Sequence, residues 1–314
     1  MNSYIVSPSP HIRSGRTTRK IMLDVIIALC PGIIASAVIF GWRVLLVTAV
    51  CVGSCVLIEY LCRLVMKRDQ TIGDLSAVVT GMLLAMNLPV SIPLWAAMIG
   101  SFFAIAVAKQ LFGGIGQNFA NPALTARILL LMSFSGMMTE KSVPLGYEAV
   151  DAVASATPLV RMAAGETTPS LLQMFLGVKG SCAMGEVSAA ALLLGGIYLV
   201  VRRVIKPITP LVFIGTVFLF SGALGMDPMA QILSGGLMLG AIFMATDYAT
   251  TPTTNWGKVV FGLGCGIITV LIRRYGNYPE GVSFAILLMN ILTPQIDKAF
   301  VHKPFGGKKV AKHA

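Results

Sequence analysis

The run Ile21-Met22-Leu23-Asp24-Val25-Ile26-Ile27-Ala28-Leu29-Cys30-Pro31-Gly32-Ile33-Ile34-Ala35-Ser36-Ala37-Val38-Ile39-Phe40 contains a single charge, Asp24, and is apolar around its whole circumference. At 1.5 Å rise per residue such a run reaches across roughly 30 Å, the thickness of bilayer hydrocarbon. A helix on a soluble domain keeps a polar face toward water, and this one has none. Working outward, comparable runs recur at 44–62, 74–90, 92–110, 120–137, 187–201, 208–225, 228–246, 257–273 and 279–297. Several are short or interrupted by Gly and Pro. With 56% hydrophobic and 12% charged residues, the 314-residue chain has too little polar surface to wet a soluble domain of its size. The expectation is an all-α membrane protein of about ten transmembrane helices.

Basic residues in short loops collect on the cytoplasmic side. Placing the N-terminus inside puts Arg13, Arg16, Arg19, Lys20, Arg63, Lys67, Arg68, Lys109, Arg127, Arg202, Arg203, Lys206, Lys258, Lys298, Lys303, Lys308, Lys309 and Lys312 at or near the inner face. Arg43, Lys141, Arg161, Lys179, Arg273 and Arg274 fall outside. Eighteen against six accounts for all 24 basic residues, so the net charge of +11 follows from orientation and anionic lipid, with no role for nucleic acid. The organisation expected is a cytoplasmic tail 1–20, a first five-helix unit 21–137, an extracytoplasmic loop 138–186, a second five-helix unit 187–297 and a basic cytoplasmic tail 298–314. The first twenty residues lack the small-residue cleavage site of a signal peptide, so 21–40 is expected to remain as the first helix.

An odd number of spans per half makes any internal repeat inverted in the membrane. Ala120-Asn121-Pro122, followed by Ile128-Leu129-Leu130-Leu131-Met132, matches Asn277-Tyr278-Pro279, followed by Ala285-Ile286-Leu287-Leu288-Met289, at an offset of 157 residues. The reading is two inverted five-helix repeats with broken or short helices. Pro122 suits a first helical turn and Asn121 suits its N-cap. The glycine-rich stretch before them, Gly113-Gly114-Ile115-Gly116-Gln117-Asn118, is either a tight interhelical turn or open backbone lining a cavity that holds a polar ligand. Gly113, Gly114, Asn118 and Asn121 are its candidate contacts.

Acidic groups in or beside apolar spans are costly and mark ion or proton paths. Asp24, Glu59, Asp74, Asp227, Asp247 and Glu280 are the candidates here, with Asp24, Glu59 and Asp247 taken as candidates for the ion path. Asp24 and Glu59 have the alternative of pairing with Arg19, Lys20 or Arg63, and Asp227 before Pro228 reads as an N-cap. Asp247 precedes Thr250-Thr251-Pro252-Thr253-Thr254 at an inner helix end and is the best single position for a cation or cofactor contact. Of the six cysteines, Cys51, Cys55 and Cys62 share a helix face; the readings are small packing residues or a cluster completed by a partner. The three histidines, His11, His302 and His313, lie in the tails, which removes bis-His haem and a His-lined pore.

Taken together, Ser9-Pro10-His11-Ile12-Arg13-Ser14, Gly113 to Ala123, Ala154-Ser155-Ala156-Thr157, Thr246-Asp247-Tyr248-Ala249-Thr250-Thr251-Pro252 and Glu280-Gly281-Val282-Ser283-Phe284-Ala285 make the chain resemble RnfD, the D-type membrane component of the Rnf electron-transport complex. Its relative NqrB, the B-type component of the sodium-pumping NADH:quinone reductase, shares the pattern. The resemblance implies a bacterial inner-membrane subunit of an ion-translocating ferredoxin:NAD oxidoreductase, with NAD and ferredoxin chemistry on partner subunits (the A, B, C, E and G types) and sodium or protons as the coupled ion. It implies FMN joined through its phosphate to Thr157 by a flavin transferase, with Ser155, Ala156 and Leu159 matching the acceptor motif and Ala154 standing where Asp or Ser is usual. A second, noncovalent flavin, riboflavin or FMN, is also implied and is assigned to the Gly113–Asn121 loop. The rival is a channel or transporter of inverted-repeat type without redox activity, because architecture does not fix function.

Overall fold

A computed structural model describes residues 15–139, 159, 162, 170–177, 183–276 and 280–301. None of these residues is in a β-strand. Helix α1 (Thr18–Phe40) opens at Thr17, whose hydroxyl accepts the Lys20 N–H, and ends at Gly41 with φ 84°. Helix α2 (Arg43–Val65) follows directly. Next come α3 (Ser76–Met86), α4 (Leu94–Phe102) with its π-helical continuation Phe103–Gln110, α5 (Pro122–Ser133) and the single turn α6 (Ser135–Met138). A short α7 (Leu171–Leu176) precedes α8 (Ala189–Val201) and α9 (Ile208–Ala223). The chain continues through α10 (Pro228–Leu233), α11 (Leu237–Leu239) with its π-helical continuation Gly240–Met244, α12 (Asn255–Tyr275) and α13 (Val282–Ala299).

Helices α1, α2 and α12 are each long and apolar enough to cross a membrane. Large apolar side chains cover the outside of the bundle, among them Val38, Val65, Leu211 and Leu219, each at least two-thirds exposed. Carboxylates and guanidinium groups, in contrast, lie inside: Glu59, Arg63, Arg127 and Glu186 are buried. This inverted distribution suits lipid and not water, and the chain is an integral membrane protein.

Without a hydrophobic drive between helices in lipid, close backbone approach at small residues holds the bundle together. Helix α1 lies so near α8 that a Cβ on Gly195 would stand 2.0 Å from the Ala28 carbonyl oxygen. Gly81 brings α3 onto the backbone of Val52 in α2, and Gly262 and Gly266 bring α12 onto α9.

Several expected spans are shorter or broken. The run 74–90 holds an eleven-residue helix, α3, preceded by Leu75 at φ 65° and followed by irregular backbone from Asn87 onward. The run 228–246 is split by Ser234-Gly235-Gly236, with Gly235 at φ +66°, and 120–137 divides into α5 and α6. Each interruption is satisfied from elsewhere in the fold. The Leu88 carbonyl accepts the Met184 N–H at 3.1 Å, Arg43 donates to the carbonyls of Val90 (2.8 Å) and Ser91 (3.0 Å), and Arg273 donates to the Ser234 carbonyl (3.1 Å). Helix starts follow the sequence closely: Asn121 caps α5 ahead of Pro122, and Asp227 caps α10 ahead of Pro228, accepting from the N–H groups of Met229 and Ala230.

Candidate cofactor cavity and buried charge clusters

A cavity of about 360 Å³ opens between α1, α3, the start of α5 and the turn that follows Met244. Ile21, Met22 and Val25 form an apolar wall on α1, and Leu83 and Phe243 extend it. Its polar groups include those of Ser76, Lys109, Asn118, Asn121, Thr246 and Asp247. The cavity therefore brings the glycine-rich loop and Asp247, read separately from the sequence, to one place.

The two parts of the loop do different work. Gly113 (φ +124°) and Gly114 (φ +102°) make the turn, and a Cβ on Gly114 would meet the Arg63 guanidinium at 2.6 Å, so these two glycines build the loop without lining the cavity. Gly116, Asn118 and Asn121 do line it. The Asn118 Oδ1 is buried without a hydrogen-bond donor. Asn121 caps α5, and its Nδ2 donates to the Met244 carbonyl at 3.5 Å. Asn290 of α13, with its amide oriented to satisfy both neighbours, accepts the Asn121 N–H at 3.1 Å and donates to the Thr250 carbonyl at 3.2 Å.

Asp247 lies in the turn beyond the helical segment and accepts the Thr250 hydroxyl at 3.2 Å. Burial pushes its carboxyl pKa up, opposed by hydrogen bonds from the Ala249 N–H, Thr250 and the Tyr248 N–H and by the charge of Lys109. Lys109 is itself buried and pairs with Glu59 at 2.9 Å. The Glu59 carboxylate also accepts from Gln110 Nε2 (2.9 Å) and the Thr71 hydroxyl (3.1 Å). Lys109 Nζ donates to Ser76 Oγ at 2.6 Å, and that hydroxyl donates to Asp74 Oδ1 at 2.6 Å. Glu59 thus pairs with Lys109 across to α4 and not with Arg63 on its own helix. Asp24 similarly passes over Arg19 and Lys20 for α8, where it accepts from Tyr198 (2.9 Å) and Arg202 (3.2 Å). Both carboxylates tie helices together beside the cavity.

A second charge cluster gathers around Arg127 and includes Glu280, one of the acidic candidates of the sequence. Arg127 of α5, buried, donates from Nη1 to Asn87 Oδ1 and Ser283 Oγ, both at 3.0 Å. Its Nη2 pairs with Glu280 and lies 3.8 Å from Glu186 Oε1. Arg273 of α12 donates to the Gln231 carbonyl (2.6 Å) and side chain (3.0 Å). The charge count assigns Arg127 to the inner face and Arg273 to the outside. The structure corrects this: Arg127 is an internal charge, and it sits in one cluster with Glu186 and Arg273. Only its position inside an apolar run signals that, because a guanidinium at that depth needs a buried partner.

Thr157, Ser155 and Ala156 lie outside the described residues. Leu159, two residues beyond Thr157, is buried against Gly235 in the break between α10 and α11. Cys51 and Cys55 are free and fully buried, and the Cys51 carbonyl accepts the Ser101 hydroxyl at 3.4 Å; Cys62 is half-buried.

The family model described as the NQR2, RnfD, RnfE family matches residues 5–306. An Acetobacterium woodii protein, named as the D component of the Na(+)-translocating ferredoxin:NAD(+) oxidoreductase complex, is 48% identical over 314 residues, covering 98% of this chain and 97% of that protein. A Clostridium ljungdahlii protein named as the D component of the proton-translocating ferredoxin:NAD(+) oxidoreductase complex is 41% identical, covering 98% of each. The D component of the ion-translocating oxidoreductase complex of Stutzerimonas stutzeri is 36% identical, covering 91% of this chain and 92% of its own length. Extended over nearly the whole length of both partners, this similarity shows that the chain belongs to the NQR2, RnfD, RnfE family.

Proposed function

We propose that this chain is the membrane subunit of an Rnf-type ion-translocating ferredoxin:NAD oxidoreductase complex, carrying electrons through FMN joined covalently to Thr157. The observation that carries the reading is near-full-length similarity to three proteins named as the D component of such complexes. Partner subunits of the A, B, C, E and G types supply the ferredoxin and NAD chemistry, and a flavin transferase attaches the FMN. Two inverted five-helix repeats form the frame. In support, each half has a second helix packed on its fourth (α2 on α4, α9 on α12) and a third segment that is short or broken.

The described residues fit the noncovalent flavin. Leu159, which the acceptor motif places two residues beyond Thr157, is buried against Gly235. The inner cavity, at about 360 Å³, is within the range of small-molecule sites and has an apolar wall with few polar groups. Its unpaired Asn118 Oδ1 offers an acceptor to a ligand donor, so Gly116, Asn118, Asn121 and Asp247 are assigned to the noncovalent flavin. A bound flavin supplies one- and two-electron transfer; the protein supplies position, charge and exclusion of water. Asp24, Glu59 and Asp247 are assigned to the path of the coupled ion, sodium or proton.

The test is co-expression with the cognate flavin transferase. Under ultraviolet light a denaturing gel of the membrane fraction is expected to show a fluorescent band, and peptide mass spectrometry FMN minus water on the peptide containing Thr157. Thr157→Ala should abolish the band while the protein stays in the membrane. A band that survives moves the attachment elsewhere, to Thr167 or Thr168, and purified protein with no flavin at all returns the channel or transporter reading.

A further inference from the structure

A line of polar atoms leaves the inner cavity and runs through the bundle to Glu280. Leu83 and Phe243 belong to the cavity wall. One residue beyond Phe243, the Met244 carbonyl accepts from Asn121 Nδ2 at 3.5 Å. One turn beyond Leu83, Asn87 donates from Nδ2 to the Leu83 carbonyl at 2.6 Å and stands 3.7 Å from Met244 Sδ. Asn87 and Met244 are 157 residues apart, the offset read between the two halves of the sequence. Arg127 carries the line onward: its Nη1 donates to Asn87 Oδ1 and Ser283 Oγ, both at 3.0 Å, and its Nη2 pairs with Glu280. Asn87 and Arg127 are buried, whereas Glu280, just ahead of α13, has 27% of its side chain exposed.

Carboxylates stand at the two ends of this thread, Asp247 in the cavity and Glu280 near the surface. Between them, among the described residues, the thread carries one charge, and it is positive. The guanidinium is fixed there by groups from three places, the turn beyond α3, the start of α13 and the residue ahead of it. A cation moving along the thread has to pass it at low dielectric, where like charges repel strongly. An arginine on a polar route through a membrane protein excludes cations in this way. The surrounding charges balance, Glu186 and Glu280 against Arg127 and Arg273. Taking Arg127 away leaves two carboxylates against one guanidinium, a composition that attracts a cation.

We propose that Arg127 is a cation barrier, its fixed charge closing the thread to monovalent cations in the resting protein. This rests on the reading of the chain as the ion-translocating membrane subunit and adds to it the residue that prevents leak.

The experiment uses the purified complex in proteoliposomes without an electron donor. Passive entry of radioactive sodium is measured beside proton entry followed with a pH-sensitive dye. Arg127→Gln is expected to raise the entry of one of these ions by about tenfold or more. Arg127→Lys keeps the charge and should stay near the wild type. Because Arg127→Gln strands buried carboxylates, it is accompanied by Arg127→Gln with Glu280→Gln, which removes both partners of the pair and should leak as well. A further measurement leaves Arg127 in place. In a background without native cysteines, Thr246→Cys stands in the cavity and Ser283→Cys at the guanidinium, one turn from Glu280. Silver ion, a monovalent cation near sodium in size, is expected to reach the first from one face of the membrane and the second from the other, read as protection from maleimide after denaturation. A folded variant lacking the charge that stays as tight as the wild type overturns the proposal, and so does Ser283→Cys reached from both faces or from neither. Donor-driven electron transfer and the fluorescent flavin band are read on the same preparations. If both are present while the barrier test fails, the Rnf-type reading stands without the barrier; if both are missing from the wild type, the reading itself fails.

Discussion

At the scale of single residues, the ion pairs seen among the described residues follow one rule: each joins two different elements of the fold. Lys109 is 2% exposed and Glu59 1%, and their contact at 2.9 Å links α2 to the π-helical end of α4. Taking away one partner strands the other charge in low dielectric, while taking away both leaves neutral groups that pack. Lys109→Met is therefore expected to destabilise the protein by about 3–5 kcal/mol, and Glu59→Gln with Lys109→Met to recover most of that loss. Thermal unfolding in detergent measures it; equal losses in the single and double variants would show that the pair contributes packing only. The caps of α5 and α10 were legible in the sequence because Asn121 and Asp227 act on N–H groups two and three residues away. The pairs were not, because Glu59 and Lys109 are fifty residues apart and meet only when the helices pack. Asn121→Ala removes both the cap and the bond to the Met244 carbonyl, and a loss of about 1–2 kcal/mol is expected from the cap by the same unfolding measurement. No change would mean that Asn290 alone holds the α5 start.

Among the helices, glycine decides which faces touch. Gly195 of α8 sits against the Ala28 carbonyl of α1, with no room for even one added carbon, whereas Gly53 on α2 has nothing within 4 Å of where its Cβ would stand. Gly195→Leu must push α1 and α8 apart, and overpacking of this kind costs about 1–3 kcal/mol or more. Gly53→Leu adds a side chain toward lipid and is expected to leave the protein unchanged. Size-exclusion profiles of the two variants after detergent extraction separate the cases; a monodisperse Gly195→Leu variant would show that the α1–α8 contact yields easily. The long helices α1, α2 and α12 could be read directly from apolar runs because their length is set by the bilayer, which the sequence has to match residue by residue. The breaks were legible only as Gly and Pro. Whether a Ser234-Gly235-Gly236 stretch unwinds depends on Arg273 arriving from α12 to take the Ser234 carbonyl, and that partner lies 39 residues away.

The molecule as a whole carries its charge in two populations, and only one of them bears on orientation. Arg63, Lys109 and Arg127 are buried and serve the interior, and so is Arg273. Setting these aside leaves fifteen of the eighteen inner basic residues and five of the six outer ones, so the threefold asymmetry of the loops persists. Cytoplasmic termini and an extracytoplasmic 138–186 segment remain the arrangement this bias favours. Interior charge has no effect on it, since a guanidinium satisfied by Asn87, Ser283 and Glu280 interacts with neither leaflet. In a background without native cysteines, Ser142→Cys and Ser170→Cys are expected to react with a membrane-impermeant thiol reagent applied to the periplasmic face of intact cells. A cysteine added after Ala314 should react only once the membrane is opened. Labelling of positions 142 and 170 solely from the inside would reverse the topology.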